Sequence, residues 1–140
     1  MVDSLISAGR KSAESQGWYA VDLDGTLAFY DHWRGVDHIG EPIQPMVDRV
    51  KIWLAMGKDV RIFTARVADE VEAPAARMAI AAWCSQHIGK PLAVTCKKDR
   101  FMLQQWDDRA MQVIPNQGIA LADLLTLAQK LLAQNGAGHA

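Results

Sequence analysis

The sequence predicts an α/β protein with a three-layer, Rossmann-like arrangement and a mainly parallel sheet of about five strands. Three observations carry this. Short apolar runs alternate with longer stretches whose apolar residues recur at helical spacing. Glycine and proline fall at the borders of these stretches and not inside them. Acidic, basic and hydroxyl residues collect just after the apolar runs, at the strand ends where open parallel sheets bind ligands.

Taken in order, residues 18–23 (WYAVDL) read as a short buried strand, stopped by Gly25. Residues 28–44 mix aromatics, charges, Gly35, Gly40 and Pro42, which predicts a loop or small hairpin. A helix follows over about 45–56: Pro45 suits its first turn, Met46, Val47, Val50, Trp53 and Leu54 form one apolar face, and Gly57 closes it. DVRIFTAR is a second strand ending at Thr64. Pro74 then starts an alanine-rich helix reaching about His87. LAVTC and FMLQQW read as the third and fourth strands, and MQVI as a fifth, stopped by Pro115. A last helix is expected over about 119–134, with 135–140 as a frayed tail and 1–17 as an N-terminal extension.

At 140 residues, half of them apolar, the chain fits a single domain with a real core. The net charge of −1 provides no general basic field for nucleic acid. Cys84 and Cys96 have no metal-type spacing, and no leader or membrane-length apolar run is visible, so a reduced, cytoplasmic setting is expected.

The strand ends carry the chemistry. Asp22 and Asp24 end the first strand, Thr64 ends the second, Lys97 and Lys98 follow the third, and Asp107 and Asp108 end the fourth. Converging carboxylates repel, and burial raises the cost of each, so a cation is the natural offset. Magnesium suits such oxygen ligands and keeps waters that a phosphate oxygen can replace. A carboxylate can attack phosphorus while a second carboxyl moves a proton, which makes metal-assisted phosphoryl transfer the leading chemistry. Each residue alone has a plainer reading. Lys97-Lys98 also fits a solvated pair, Asp107-Asp108 a helix or turn cap, and Arg66 a surface pair with Asp69 or Glu70.

In order along residues 18 to about 114, DLDGTLA, IFTAR, a lysine after the third strand and WDDRA resemble the four motifs of the haloacid dehalogenase-like superfamily. The resemblance implies a phosphate monoester hydrolase working through an aspartyl-phosphate. It makes Asp22 the nucleophile and a magnesium ligand. Asp24 becomes the general acid/base, with its backbone carbonyl on the metal. Thr64 hydrogen-bonds the phosphoryl group, and Lys98, or alternatively Lys97, stabilises the phosphoaspartate. Asp107 ligates the metal, and Asp108 supports it through water or by orientation. Gly25, Thr26, Lys97 and Arg66 fall on the substrate side.

The adjacent Asp107-Asp108-Arg109 and the arginine two residues after Thr64 are similar to the phosphatase domain of bacteriophage polynucleotide kinase. Neither inter-motif gap is long enough for a large cap, so the site is expected to be open. The expected partner is a nucleotide or nucleic-acid terminal phosphate, with small sugar or metabolite phosphates as the alternative and a non-catalytic phosphate-binding domain as the second. Phe29, Tyr30, His32 and Trp33 would then offer stacking surfaces, and Arg34 a contact for a second phosphate.

Overall fold

The computed structural model describes residues 17–137. The chain divides into two compact units, Met1–Asp108 and Arg109–Ala140. The expected extension at 1–17 lies, except for Gly17, outside the described residues, as does the end of the tail.

In the first unit the elements run β1 (Trp18–Val21), α1 (Gln44–Ala55), β2 (Asp59–Phe63), α2 (Ala73–His87), β3 (Val94–Thr95) and β4 (Met102–Trp106), with a short 3-10 turn, Ala65–Val67, after β2. The sheet order is β3-β2-β1-β4, and every pairing is parallel. This is the mixed α/β, small Rossmann-like fold expected, with helices flanking a parallel sheet. Parallel neighbours require crossovers, which α1 and α2 supply between β1 and β2 and between β2 and β3.

The register explains the strand composition. Val21 pairs with Ile62 and Tyr19 with Val60, so these four share one face. Val21, Val60 and Ile62 join Val47 and Val50 of α1 and Ala76, Ile80, Trp83 and Cys84 of α2 in one buried core. Both helices therefore owe their place to apolar residues at helical spacing, i and i+3 on α1 and i, i+4, i+7 and i+8 on α2. Tyr19 meets Trp53 at 5.0 Å between ring centroids, and Trp53 meets Trp106 edge-on at 5.2 Å, which locks α1 over β1 and β4. On the other face, the Trp18 indole N–H donates to Asp99 at 2.9 Å and ties β1 to the loop entering β4.

Residues 28–43 form no inserted domain. They hold isolated bridges, Asp24 with Ala28 and Ala28 with Pro42, and Trp83 of α2 donates to the Gly40 carbonyl at 2.9 Å. A large cap is absent from the described residues between β1 and β2 and between β2 and β3.

In the second unit, α3 (Leu121–Ala137, the last helix) follows a reversal at Asn116 and Gly118, both at positive φ. The expected fifth strand, MQVI, does not form. Val113 instead bridges antiparallel to Ala120, and Ile114 N–H bonds to the Ile119 carbonyl. Pro115 lacks a ladder donor and turns the segment back on its own downstream residues. The sheet among the described residues has four strands. No helix there is long and apolar enough to cross a membrane.

Candidate metal and phosphoryl-transfer site

β1 and β4 are neighbours in the sheet, so their carboxyl ends deliver acidic groups to one place. The Asp22 backbone N–H bonds the Trp106 carbonyl at 2.9 Å, extending the ladder from the last residue of β4 to the residue just past β1. Beyond that step, carboxylate oxygens of Asp22, Asp107 and Asp108 lie within 4.8 Å of one another. The Asp22 carboxyl is raised from 3.8 to about 7, with burial the largest cause. The neighbouring Asp107 charge, a hydrogen bond shared with Asp108 and the Asp108 charge contribute to that rise, while the Leu23 backbone N–H opposes it. An acid so placed is half-protonated near neutrality.

That strain is the test of whether a cation fits. Opposite oxygens around magnesium sit about 4.2 Å apart, and around calcium about 4.6–5.2 Å. A set within 4.8 Å matches a hard dication, with small closure for magnesium. A dication there would favour the ionised form of Asp22 and remove the repulsion.

Asp108 is held from the β1 side. The Thr26 hydroxyl donates to Asp108 Oδ1 at 3.2 Å and accepts the Asp108 backbone N–H at 2.9 Å. Gly25 turns the chain at φ +88°, and a Cβ there would stand 2.5 Å from Asp108 Oδ2. Gly25 is thus required twice, by its dihedral and by the carboxylate pressed against it. The leading role of Gly25 and Thr26 in this structure is to place Asp108.

Asp24 is separate from the three-carboxylate cluster. Its carboxylate takes a bidentate pair from Arg66, Nε to Oδ2 at 2.7 Å and Nη2 to Oδ1 at 2.8 Å. The same guanidinium donates to the carbonyls of Val36 at 3.2 Å and His38 at 2.8 Å, and lies 4.9 Å from the Trp33 ring. Arg66 is 8% exposed. Its partner is Asp24, not the surface Asp69 or Glu70, and its donors point to Asp24 and the 36–38 loop and not into the cluster.

Thr64 is buried at the end of β2, the strand beside β1, and its hydroxyl accepts the Arg66 N–H at 3.2 Å. One residue thus caps the turn that launches Arg66 toward Asp24. Lys97 and Lys98 lie exposed in the loop after β3, and the Lys97 backbone N–H bonds Thr95 Oγ1 at 3.0 Å. Neither ammonium is in an ion pair among the described residues. Arg34 is engaged locally: Nη2 bonds both Asp31 oxygens at 3.1 Å, and Nε bonds His32.

Sequence reasoning missed the Asp24–Arg66 pair and the Thr26–Asp108 bonds. Arg66 stood out only as an arginine two residues past a strand-end threonine. It also missed Arg49, whose guanidinium lies 4.8 Å from the Trp106 ring centre and 6.0 Å from that of Trp53. The four-residue step from Arg49 to Trp53 on α1 was the available signal.

No protein-family model matches the sequence, and no curated protein matches it. Among solved structures the chain is similar to a conserved protein from Bacteroides thetaiotaomicron, at 23% identity over 70% of this chain and 80% of that one, with a TM-score of 0.49. A likeness of that size carries no functional argument. The chemistry of the site stands on its own residues.

Proposed function

We propose that this protein is a magnesium-dependent phosphate monoester hydrolase that works through phosphorylated Asp22, as its resemblance to haloacid dehalogenase-like hydrolases implies. The observation that carries the reading is the Asp22, Asp107 and Asp108 cluster, with Asp22 half-buried and its carboxyl pushed to about 7. A chain gains nothing in stability from such repulsion, which supports reading the cluster as a functional site.

Each residue has a role that its surroundings support. Asp22 projects from the carboxyl end of β1 and supplies the attacking oxygen. A bond forms from that oxygen to phosphorus, and the bond from phosphorus to the ester oxygen breaks. Asp24, once one oxygen has left Arg66 and taken a proton from solvent, gives that proton to the leaving oxygen, then takes one from the water whose oxygen bonds phosphorus as the bond from phosphorus to Asp22 breaks and frees its carboxylate. To do so, Asp24 has to give up one of its two Arg66 bonds, so Arg66 sets where that carboxyl waits between steps. Asp107 and Asp108 would hold the cation with Asp22. Bound magnesium would supply charge neutralisation for the transferring phosphoryl group. Thr64 and Lys98 would donate to its oxygens.

The uncapped strand ends favour substrates whose phosphate projects from a bulky body, and a nucleotide or nucleic-acid terminus is the proposed class. The test is a phosphatase screen in magnesium with p-nitrophenyl phosphate, mononucleotides, an end-phosphorylated oligonucleotide and sugar phosphates, run beside Asp22→Asn. Turnover falling by roughly three orders of magnitude or more in a folded variant supports the reading. Turnover retained without the Asp22 carboxylate would remove it.

A further inference from the structure

Beside the acidic cluster lies an open cleft whose walls include Thr26, Pro45, Met46, Arg49, Trp106 and Asp108. Its far wall is the exposed face of α1. Arg49 is exposed there, and among the described residues its guanidinium is partnered only by the rings of Trp106 and Trp53. The Trp106 ring is itself held, since its indole N–H donates to Gln104 at 3.0 Å and Trp53 packs on it edge-on.

A guanidinium lying on an indole face keeps its N–H edge open, and the stacking removes much of the rotamer entropy an arginine loses on binding. A planar fork held this way suits a phosphate, which accepts two parallel bonds from it. Asp107 and Asp108 share the cleft, and Asp108 is tied to Thr26. The cleft therefore has two ends of opposite character: a carboxylate cluster suited to a cation, and a fixed cation suited to an anion.

We infer that Arg49, laid on Trp106, binds a second phosphate of the substrate, so that the preferred substrate is a phosphate ester whose body carries another phosphate. This rests on the proposed hydrolase reading for the orientation of the reacting phosphate in the same cleft. Two sources share that chemistry, a free nucleoside bisphosphate and a phosphorylated strand end with its neighbouring phosphodiester. Arg34, the contact expected from the sequence, is paired with Asp31 and His32 in this structure.

The test measures binding and turnover separately. Calorimetry in magnesium compares adenosine 3′,5′-bisphosphate, adenosine 5′-monophosphate and a 5′-phosphorylated dinucleotide on the full chain carrying Asp22→Asn, which removes turnover. One charge-assisted bidentate contact predicts binding about tenfold tighter for the bisphosphate than for the monophosphate. Adding Arg49→Gln is expected to erase that preference and leave monophosphate binding unchanged, while Arg49→Lys restores only part of it. Dinucleotide binding that follows the bisphosphate assigns the site to strand ends, and binding that follows the monophosphate assigns it to free nucleotides. Equal affinity for bisphosphate and monophosphate, or a preference that survives Arg49→Gln, overturns the inference. In the companion assay on p-nitrophenyl phosphate, kcat/KM of Arg49→Gln should equal that of the parent. A protein that hydrolyses monoesters without any Arg49-dependent preference refutes this inference alone. One that shows the preference without ever turning over an ester refutes the proposed reaction and leaves the anion site standing.

Discussion

Replacing Asp22 with Asn should change stability in a pH-dependent way, and the structure sets the size. The Asp22 carboxyl is displaced from 3.8 to about 7, chiefly by burial and by Asp107. At roughly 1.4 kcal/mol per factor of ten, that displacement corresponds to about 4 kcal/mol. Asp22 is only half-buried, so solvent screening reduces the figure to about 2 kcal/mol. The sign follows from linkage. The folded protein holds the Asp22 proton to higher pH than the unfolded chain does. The cost of ionising it is absent below about pH 4, grows as pH rises, and is complete above about pH 7. Asp22→Asn has no such group. Its stability relative to the parent should therefore rise by about 2 kcal/mol between pH 4 and pH 8, read by urea unfolding followed by circular dichroism at a series of pH values. Magnesium should act in the same direction on the parent alone. At ten times its dissociation constant it adds about 1.4 kcal/mol at pH 8, and less at pH 5, where protons compete. A difference between variant and parent that is flat across this range, or one that falls as pH rises, would show that Asp22 is not strained by its neighbours.

Three further outcomes follow from the same contacts. Arg66→Ala leaves Asp24 without the bidentate pair and the Val36 and His38 carbonyls without a donor, so unfolding should be easier by about 3 kcal/mol. A double-mutant cycle with Asp24→Asn should show strong coupling, and additive losses would contradict the pair. Gly25→Ala forces a Cβ against Asp108 at a positive φ, which should lower stability by roughly 1–3 kcal/mol and weaken magnesium binding in calorimetry, whereas unchanged binding would mean that Asp108 is not set by this turn. Thr26→Val removes both bonds to Asp108 at nearly constant volume. About 1–2 kcal/mol of stability should be lost with a parallel loss of magnesium affinity, and a variant indistinguishable from the parent would rule out that tie.

The legible parts of the chain were those set by local pattern. The run before Asp22 ends where Gly25 takes a positive φ, and the helix beginning at Pro45 carries its buried Val47 and Val50 where the spacing puts them. The strand ends were placed well enough to bring Asp22, Asp107 and Asp108 to one edge, because neighbouring parallel strands must end on the same side. MQVI misled because four apolar-rich residues look like a strand whatever lies beyond them, and only Pro115 with the Asn116 and Gly118 reversal decides their pairing. β3 shrank to Val94–Thr95 for a related reason: Pro91 precedes it and the chain bends after it, leaving a short edge. The ties within the site were out of reach. Arg66 meets a carboxylate 42 positions away, and Thr26 one 82 positions away. Such contacts depend on turn geometry that composition does not encode locally.

The central claim is that Asp22 becomes phosphorylated during turnover, and trapping that adduct tests it most directly. Protein mixed with excess substrate in magnesium is quenched in acid within milliseconds, digested with pepsin and analysed by mass spectrometry. The account predicts one phosphoryl group on the peptide spanning residue 22, absent without magnesium and absent in Asp22→Asn. Steady turnover with that peptide unmodified at every quench time, or with the phosphoryl group on a different residue, would contradict it.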